Sequence, residues 1–451
     1  MQIRSVVIAA LVLTSRVCAD GLSDLETSCF QRANLTFGKY WLLECLQEVF
    51  TADPVHLTLG TIAPGAGTVA LGPSFTMIPR SNRLESMITG SAVISTDTSW
   101  LFQAQAVIAV PSVPGATMLL RNGKTNGRFG GRLGALTRDA ELDAKSSLTL
   151  RARAFDAKEQ HFYGIGPSAS LNGGTQYSQQ EIDVSAGFNN PVTTWSSIGL
   201  NTDFLRPRIL PPNGGVPVDT LYTPVSAPGL SLNEDFVRFE PYVSFKIPPR
   251  RSLATIGQVG FSWYHALDDA RFSFRRLSAS TVTQIPLRPK VHVGSVTTAS
   301  HRNGFVNWIC PSSRSGEHCS MGDLALIGLL DVTYDSAGNT PPFYLDPTLG
   351  GSDIQGNDTL RGFGDYRFRA PNRVLLQAEY RHPVWSFLGL LVFYDVGKVG
   401  LEPSDLTLSQ LRHDLGLGVT VTVGRHEIAR LYAAFGTGEP VQFRPKFGGL
   451  L

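Results

Sequence analysis

The chain is predicted to be all-β, a transmembrane antiparallel β-barrel of sixteen strands preceded by a short helical N-terminal segment. Three observations point there. From about residue 61 onward, apolar and polar residues alternate in twos, the period of a strand with two different faces. Many of these segments run to about ten residues, enough to cross a bilayer at a tilt, whereas strands of soluble proteins usually hold five or six. The composition is that of a β structure beside lipid: 17% charged residues and 10% aromatic, with 45 glycines. An ordinary soluble chain carries roughly 25% charge.

The elements follow in order. Residues 1–19 read as a secretory signal: Arg4, an apolar stretch from Val6 to Thr14, then small residues before Asp20. That stretch is too short to anchor the chain across a bilayer core of about 30 Å. Residues 20–60 contain LETSCFQRANLTFGKYWLLECLQEVF, poor in glycine and with apolar positions three and four apart, so one or two short helices are expected. They would cap the barrel on the periplasmic side or enter its lumen. Residues 61–451 supply the barrel. VRFEPYVSFKI sets Val237, Phe239, Val243, Phe245 and Ile247 opposite Arg238, Glu240, Tyr242, Ser244 and Lys246. SLTLRARAF and RVLLQAEYRH repeat the arrangement. At roughly 24 residues per strand and connection, sixteen strands fit, an even number as closure in this class demands, with twelve or fourteen as alternatives.

Residues 205–233 and 335–372 are rich in Pro, Gly and Asn and read as long loops, placed on the extracellular side together with CPSSRSGEHC. The mature chain keeps Cys29, Cys45, Cys310 and Cys319, an even set in an oxidising compartment. Of the three connectivities, the local one, Cys29 with Cys45 and Cys310 with Cys319, is preferred. Trp195, Trp263, Tyr264, Tyr380 and Trp385 lie near segment ends, as an interfacial girdle requires. A soluble sandwich alternates too, but it explains neither the segment length nor the girdle.

A net charge of +2 argues against a nucleic-acid partner. Scattered histidines and the lack of Cys-x-x-Cys argue against a metal site, and no cofactor is expected. His318-Cys319-Ser320 has the spacing of a His-x-Ser pair, yet no orienting third residue accompanies it, so no enzyme activity is expected. Gly164-x-Gly166 and Gly416-x-Gly418 are read as small residues in strands. Arg151, Arg153, Arg238, Arg271 and Arg275 suggest a charged inner wall.

Residues 342–399 contain Leu360-Arg361-Gly362-Phe363, followed by Glu379 and Asp395 on the next two segments. This resembles the end of a bacterial surface antigen barrel, the outer-membrane assembly superfamily that includes the BamA and TamA insertases and two-partner secretion pores. The resemblance implies that the motif loop folds back into the lumen and that Arg361 meets Glu379 and Asp395. Residue parity agrees, since both acids fall on the polar face of their segments. Gly362 would permit a sharp turn and Phe363 would pack on the inner wall. Two departures stand out: about 40 residues precede the barrel where the family carries periplasmic domains (POTRA) of roughly 75 each, and the sequence ends FGGLL, with Phe447 the nearest terminal aromatic.

The expected function is therefore that of an outer-membrane barrel, monomeric and bathed in outer-membrane lipid. It would insert or translocate polypeptide clients through a lateral seam between strands near 65–80 and 428–447. A solute pore or lipid-handling barrel is the alternative.

Overall fold

In the computed structural model, the described residues are 54–60, 62, 69–79, 85–110, 146–230, 232–250, 253–287, 291–292, 318–319, 322–335, 338–353, 356–384, 388–423 and 426–447. The signal, residues 20–53, Cys29, Cys45 and Cys310 lie outside them, as do Ser320, Trp385 and the side chain of Cys319.

One sixteen-stranded antiparallel sheet dominates. Its first half comprises β1 (Val55–Gly60), β2 (Ala70–Met77), β3 (Glu85–Ser95), β4 (Trp100–Val110), β5 (Ser146–Phe162), β6 (Thr175–Pro191), β7 (Ser196–Leu210) and β8 (Phe236–Arg250). Then come β9 (Leu253–Ala266) and β10 (Phe274–Pro286), a separate hairpin of β11 (Val291–His292) with β12 (His318–Cys319), and β13 (Asp323–Tyr334). A small inner hairpin, β14 (Thr348–Leu349) with β15 (Phe368–Arg369), precedes β16 (Asn372–Pro383), β17 (Leu388–Gly400), β18 (Arg412–Val423), β19 (His426–Gly436) and β20 (Gln442–Phe447). Each barrel strand pairs with the next, but no ladder joins β1 to β20. These end strands nonetheless come within 8 Å of each other at Cα.

The strand count matches the expectation, while several boundaries move. β1 falls inside the stretch assigned to the N-terminal segment. The expected first strand, 65–80, is β2, and the expected last strand, 428–447, is the β19–β20 hairpin. Residues 205–210 belong to β7, so the loop runs over 211–235.

Alternation decides which face meets lipid. On β8, Phe239, Val243 and Ile247 are exposed, whereas Glu240 is buried in the lumen. On β5, Leu148 and Leu150 face out, and Arg151 pairs inward with Asp183 at 2.7 Å. The inner-wall list needs correcting: Arg275 points outward and Arg276 inward, and Arg271 sits on an exposed turn with Asp269. Trp100 and Trp263 are exposed near one rim, and Trp195 lies in the β6–β7 turn at the other. Tyr264 is not in this girdle; it is buried and stacked on Phe274 with centroids 4.3 Å apart.

An antiparallel meander turns at alternate ends, so parity and not length places each loop. Connections 211–235 and 335–371 share one end. The β10–β13 connection leaves from the opposite end, where the chain also enters β1, and CPSSRSGEHC, apart from the backbone of β12, lies outside the described residues.

Candidate functional site

The connection 335–371 turns back into the barrel. A 3₁₀ turn at Phe343–Leu345 sets Phe343 against Phe162 (4.8 Å) and Tyr177 (5.2 Å), on the β5–β6 wall. The β14–β15 hairpin then carries the chain across, held by Arg369, which donates to the Phe343 carbonyl (2.6 Å) and to the Tyr177 hydroxyl (3.1 Å). Gly350 and Gly351, at φ +115° and +58°, let the backbone double over. Gly351 N–H donates to the Leu360 carbonyl at 2.8 Å. Leu360 and Phe363 join Leu349, Phe368, Leu375 and Val399 in a buried cluster against β13, β16 and β17. Burial of this cluster and of the opposite aromatic one fixes the loop inside the lumen.

Arg361 stands at the tip, with 1% of its surface exposed. Its Nε donates to Asp395 Oδ2 (2.8 Å), Nη2 to Asp395 Oδ1 (2.7 Å), and Nη1 to Glu379 Oε2 (2.5 Å). The guanidinium lies 3.5 Å above the Phe393 ring centroid. A rigid fork can hold two carboxylates and stack at the same time, which an ammonium cannot. Burial weakens the Arg361 cation, and the Asp395 and Glu379 carboxylates more than offset it, holding the guanidinium well above its usual range. Glu379 also takes Arg381 and Arg430.

The loop rests backbone to backbone on the wall. A Cβ on Gly362 would lie 2.5 Å from Gly436 N and 2.6 Å from Asp414 Cβ, and one on Gly436 would lie 2.4 Å from the Gly362 carbonyl oxygen. Gly416 makes room for Phe393, whose Cζ would be 2.1 Å from an added Cβ. Gly416 is thus in a strand as expected, where it makes room for the platform under Arg361. Gly164 and Gly166 instead lie in the β5–β6 connection, at φ +96° and +112°, and Gly166 N–H donates to the Arg369 carbonyl at 2.7 Å.

The same loop grips the last strand. From β20, Arg444 bonds Asp365 (2.6 Å) and the Phe363 carbonyl (3.1 Å), and Lys446 bonds Asp358 (2.5 Å). β20 has a ladder only with β19, so these side chains form its second attachment.

Leu360, Arg361, Gly362, Phe363, Glu379 and Asp395 are therefore brought together, as the resemblance implies. Phe393, Gly436, Arg430 and Arg444 were missed, and Gly416 was read only as a small strand residue. Phe393 was within reach, since it lies two residues before Asp395 on the same face. His318 and Cys319 lie in the β11–β12 hairpin, away from this group in the topology.

At the base of the loop Asp346 is buried, and burial pushes its carboxyl up to about 7 despite Arg276 and Arg369 nearby. The unfolded chain then releases this proton near pH 4 and the folded chain only near 7, so stability falls as pH rises between the two. Asp346→Asn should stabilise the fold at pH above about 7 by on the order of 2–4 kcal/mol, raising the midpoint of heat-induced unfolding there. That gain should shrink as pH falls toward 4, which a midpoint series across pH will read. A constant gain at every pH counts against this assignment.

No family model matches the chain, and no curated protein matches it in sequence. Solved structures are similar in fold. BamA from Haemophilus ducreyi lacking POTRA domains 1–3 superposes with a TM-score of 0.50 and 13% identity, over 87% of this chain and 69% of that one. CdiB from Escherichia coli gives 0.48 and 12%, over 88% and 61%, and CdiB from Acinetobacter baumannii gives 0.46 and 10%, over 88% and 59%. The chain thus spans about three fifths of the CdiB structures. Its fold is that of a BamA-like barrel.

Proposed function

Taking that fold as the premise, we propose that this chain resides in a bacterial outer membrane as a monomeric barrel and inserts or translocates polypeptides through a lateral seam between β1 and β20. The observation that carries this reading is the seam itself: two end strands side by side with no ladder, in a barrel whose lumen is crossed by a packed loop. An unpaired edge is a template for an incoming strand, and a client would add to it by β-augmentation. Nothing in this action requires a catalysed reaction. The motif loop would keep the lumen shut while the seam works, and its bonds to β20 would set how readily that strand moves.

Cysteines at facing positions of β1 and β20 test the reading. The disulfide should stop assembly of client polypeptides in reconstituted membranes, and a reductant should restore it. Unchanged assembly by the locked barrel removes the proposal. The alternative, a solute pore, is favoured by large steady currents through the wild-type chain in planar bilayers.

A further inference from the structure

On the lipid-facing wall, the ladders of β8, β9, β10 and β13 set side chains in rows. Two successive rows are apolar: Val259, Ala279 and Leu330, then Phe261, Leu277 and Val332. The next row, toward the end that carries the β9–β10 turn, reads Phe239, Trp263, Arg275 and Tyr334, all exposed. Beyond it come exposed His265 and the polar turn of residues 268–271. This row therefore marks the line where an apolar wall meets a polar rim, the level at which interfacial aromatics lie beside lipid headgroups.

Arg275 makes no hydrogen bond and no ion pair among the described residues, and its register neighbours, Trp263 and Tyr334, carry no charge. Other arginines of this rim are matched: Arg206 and Arg208 face Asp235 at 3.7 and 2.7 Å, and Arg271 holds Asp269 at 2.6 Å. The Trp263 indole N–H and the Tyr334 hydroxyl are also without a partner among the described residues, while Phe261 braces the Trp263 ring edge-on at 4.8 Å. Cross-strand neighbours keep their Cβ atoms about 4.5–5.5 Å apart, so all three donors are within reach of one group lying over Arg275.

We infer that this row binds the phosphate of a lipid headgroup, in the leaflet on the motif-loop side of the membrane. The guanidinium fork takes two phosphate oxygens, and the indole and phenol donors approach from either side, which suits a tetrahedral group better than a planar carboxylate. The apolar rows below select a lipid over free phosphate, because the acyl chains would run down Phe261, Leu277 and Val332. The inference rests on the reading of the chain as a membrane barrel and not on its seam.

Native mass spectrometry of the full chain in detergent tests this, with dioleoyl phosphatidic acid against dioleoylglycerol, which differ only in the phosphate. Phosphatidic acid should be retained at least about tenfold more tightly, and Arg275→Gln should remove roughly tenfold of that affinity. Trp263→Phe and Tyr334→Phe, which keep the ring and delete the donor, should each cost roughly threefold. Arg271→Gln, which removes the same charge from the neighbouring turn, should cost less than about twofold. Equal losses for Arg271→Gln and Arg275→Gln overturn the site, as does equal retention of the two lipids. Complete displacement of phosphatidic acid by millimolar inorganic phosphate overturns the choice of a lipid. The assay needs no client polypeptide, so its failure leaves the seam reading standing, and failure of the seam lock leaves this site standing.

Discussion

Arg361→Ala is expected to be the most damaging single substitution in the chain. It leaves Asp395, with both oxygens committed to the lost side chain, and one oxygen of Glu379 without their principal donor in a site closed to water. Breaking a buried ion network from one side costs about 3–5 kcal/mol, mainly because charges are left uncompensated. Two readouts should move together: the unfolding midpoint falls, and small flickering currents through the wild-type barrel grow as the loop leaves the lumen. Arg361→Lys should recover only part of each, since it keeps the charge but loses the fork and the flat contact with Phe393. The double change Arg361→Met with Asp395→Asn should be more stable than Arg361→Ala alone, because it also removes the carboxylate that loses its donors, while Glu379 keeps Arg381 and Arg430. An Arg361→Ala barrel as stable and as silent as the wild type would rule out the lock.

Gly436→Ala is expected to come second, although it alters no charge and no hydrogen-bonding group. The added Cβ meets the Gly362 carbonyl oxygen at 2.4 Å and its carbon at 2.9 Å, and backbone cannot swing aside as a side-chain tip can. The motif tip must lift from the wall, which misaligns the fork above it. Overpacking of this kind costs about 1–3 kcal/mol. Gly199→Ala is the matched control, because its Cβ would meet the far end of Tyr242, which can rotate away. Conductance and midpoint should change for Gly436→Ala and stay close to wild type for Gly199→Ala. Equal effects of the two would mean that contact between loop and wall does not hold the tip.

Arg361, Glu379 and Asp395 were legible because two independent signals agreed: a short motif, and strand parity that turned both acids inward. Parity served less well where it had no unambiguous phase. In FSFRR, either arginine of the doublet can be assigned inward until a neighbouring strand sets the register. The ladder of β10 with β13 does so, placing Arg276 opposite Thr333. β1 was hidden because its six residues, VHLTLG, are too short to separate strand from helix by period. The end of the barrel at which the β10–β13 connection leaves depends on how many strands precede it, so one uncounted strand reverses the answer. Phe393 on Gly416 pairs residues from different strands, and no single segment contains that relationship.

The bonds from Arg444 and Lys446 to the motif loop carry a thermodynamic obligation. If docking of the loop stabilises β20 in its place, then occupancy of that place stabilises the docked loop by the same free energy. A peptide strand that displaces β20 from β19 must therefore loosen the grip on Asp365 and Asp358, and a ligand that draws the loop out of the lumen must soften the edge. The barrel's interior and its side opening form one reciprocal equilibrium, readable from either end.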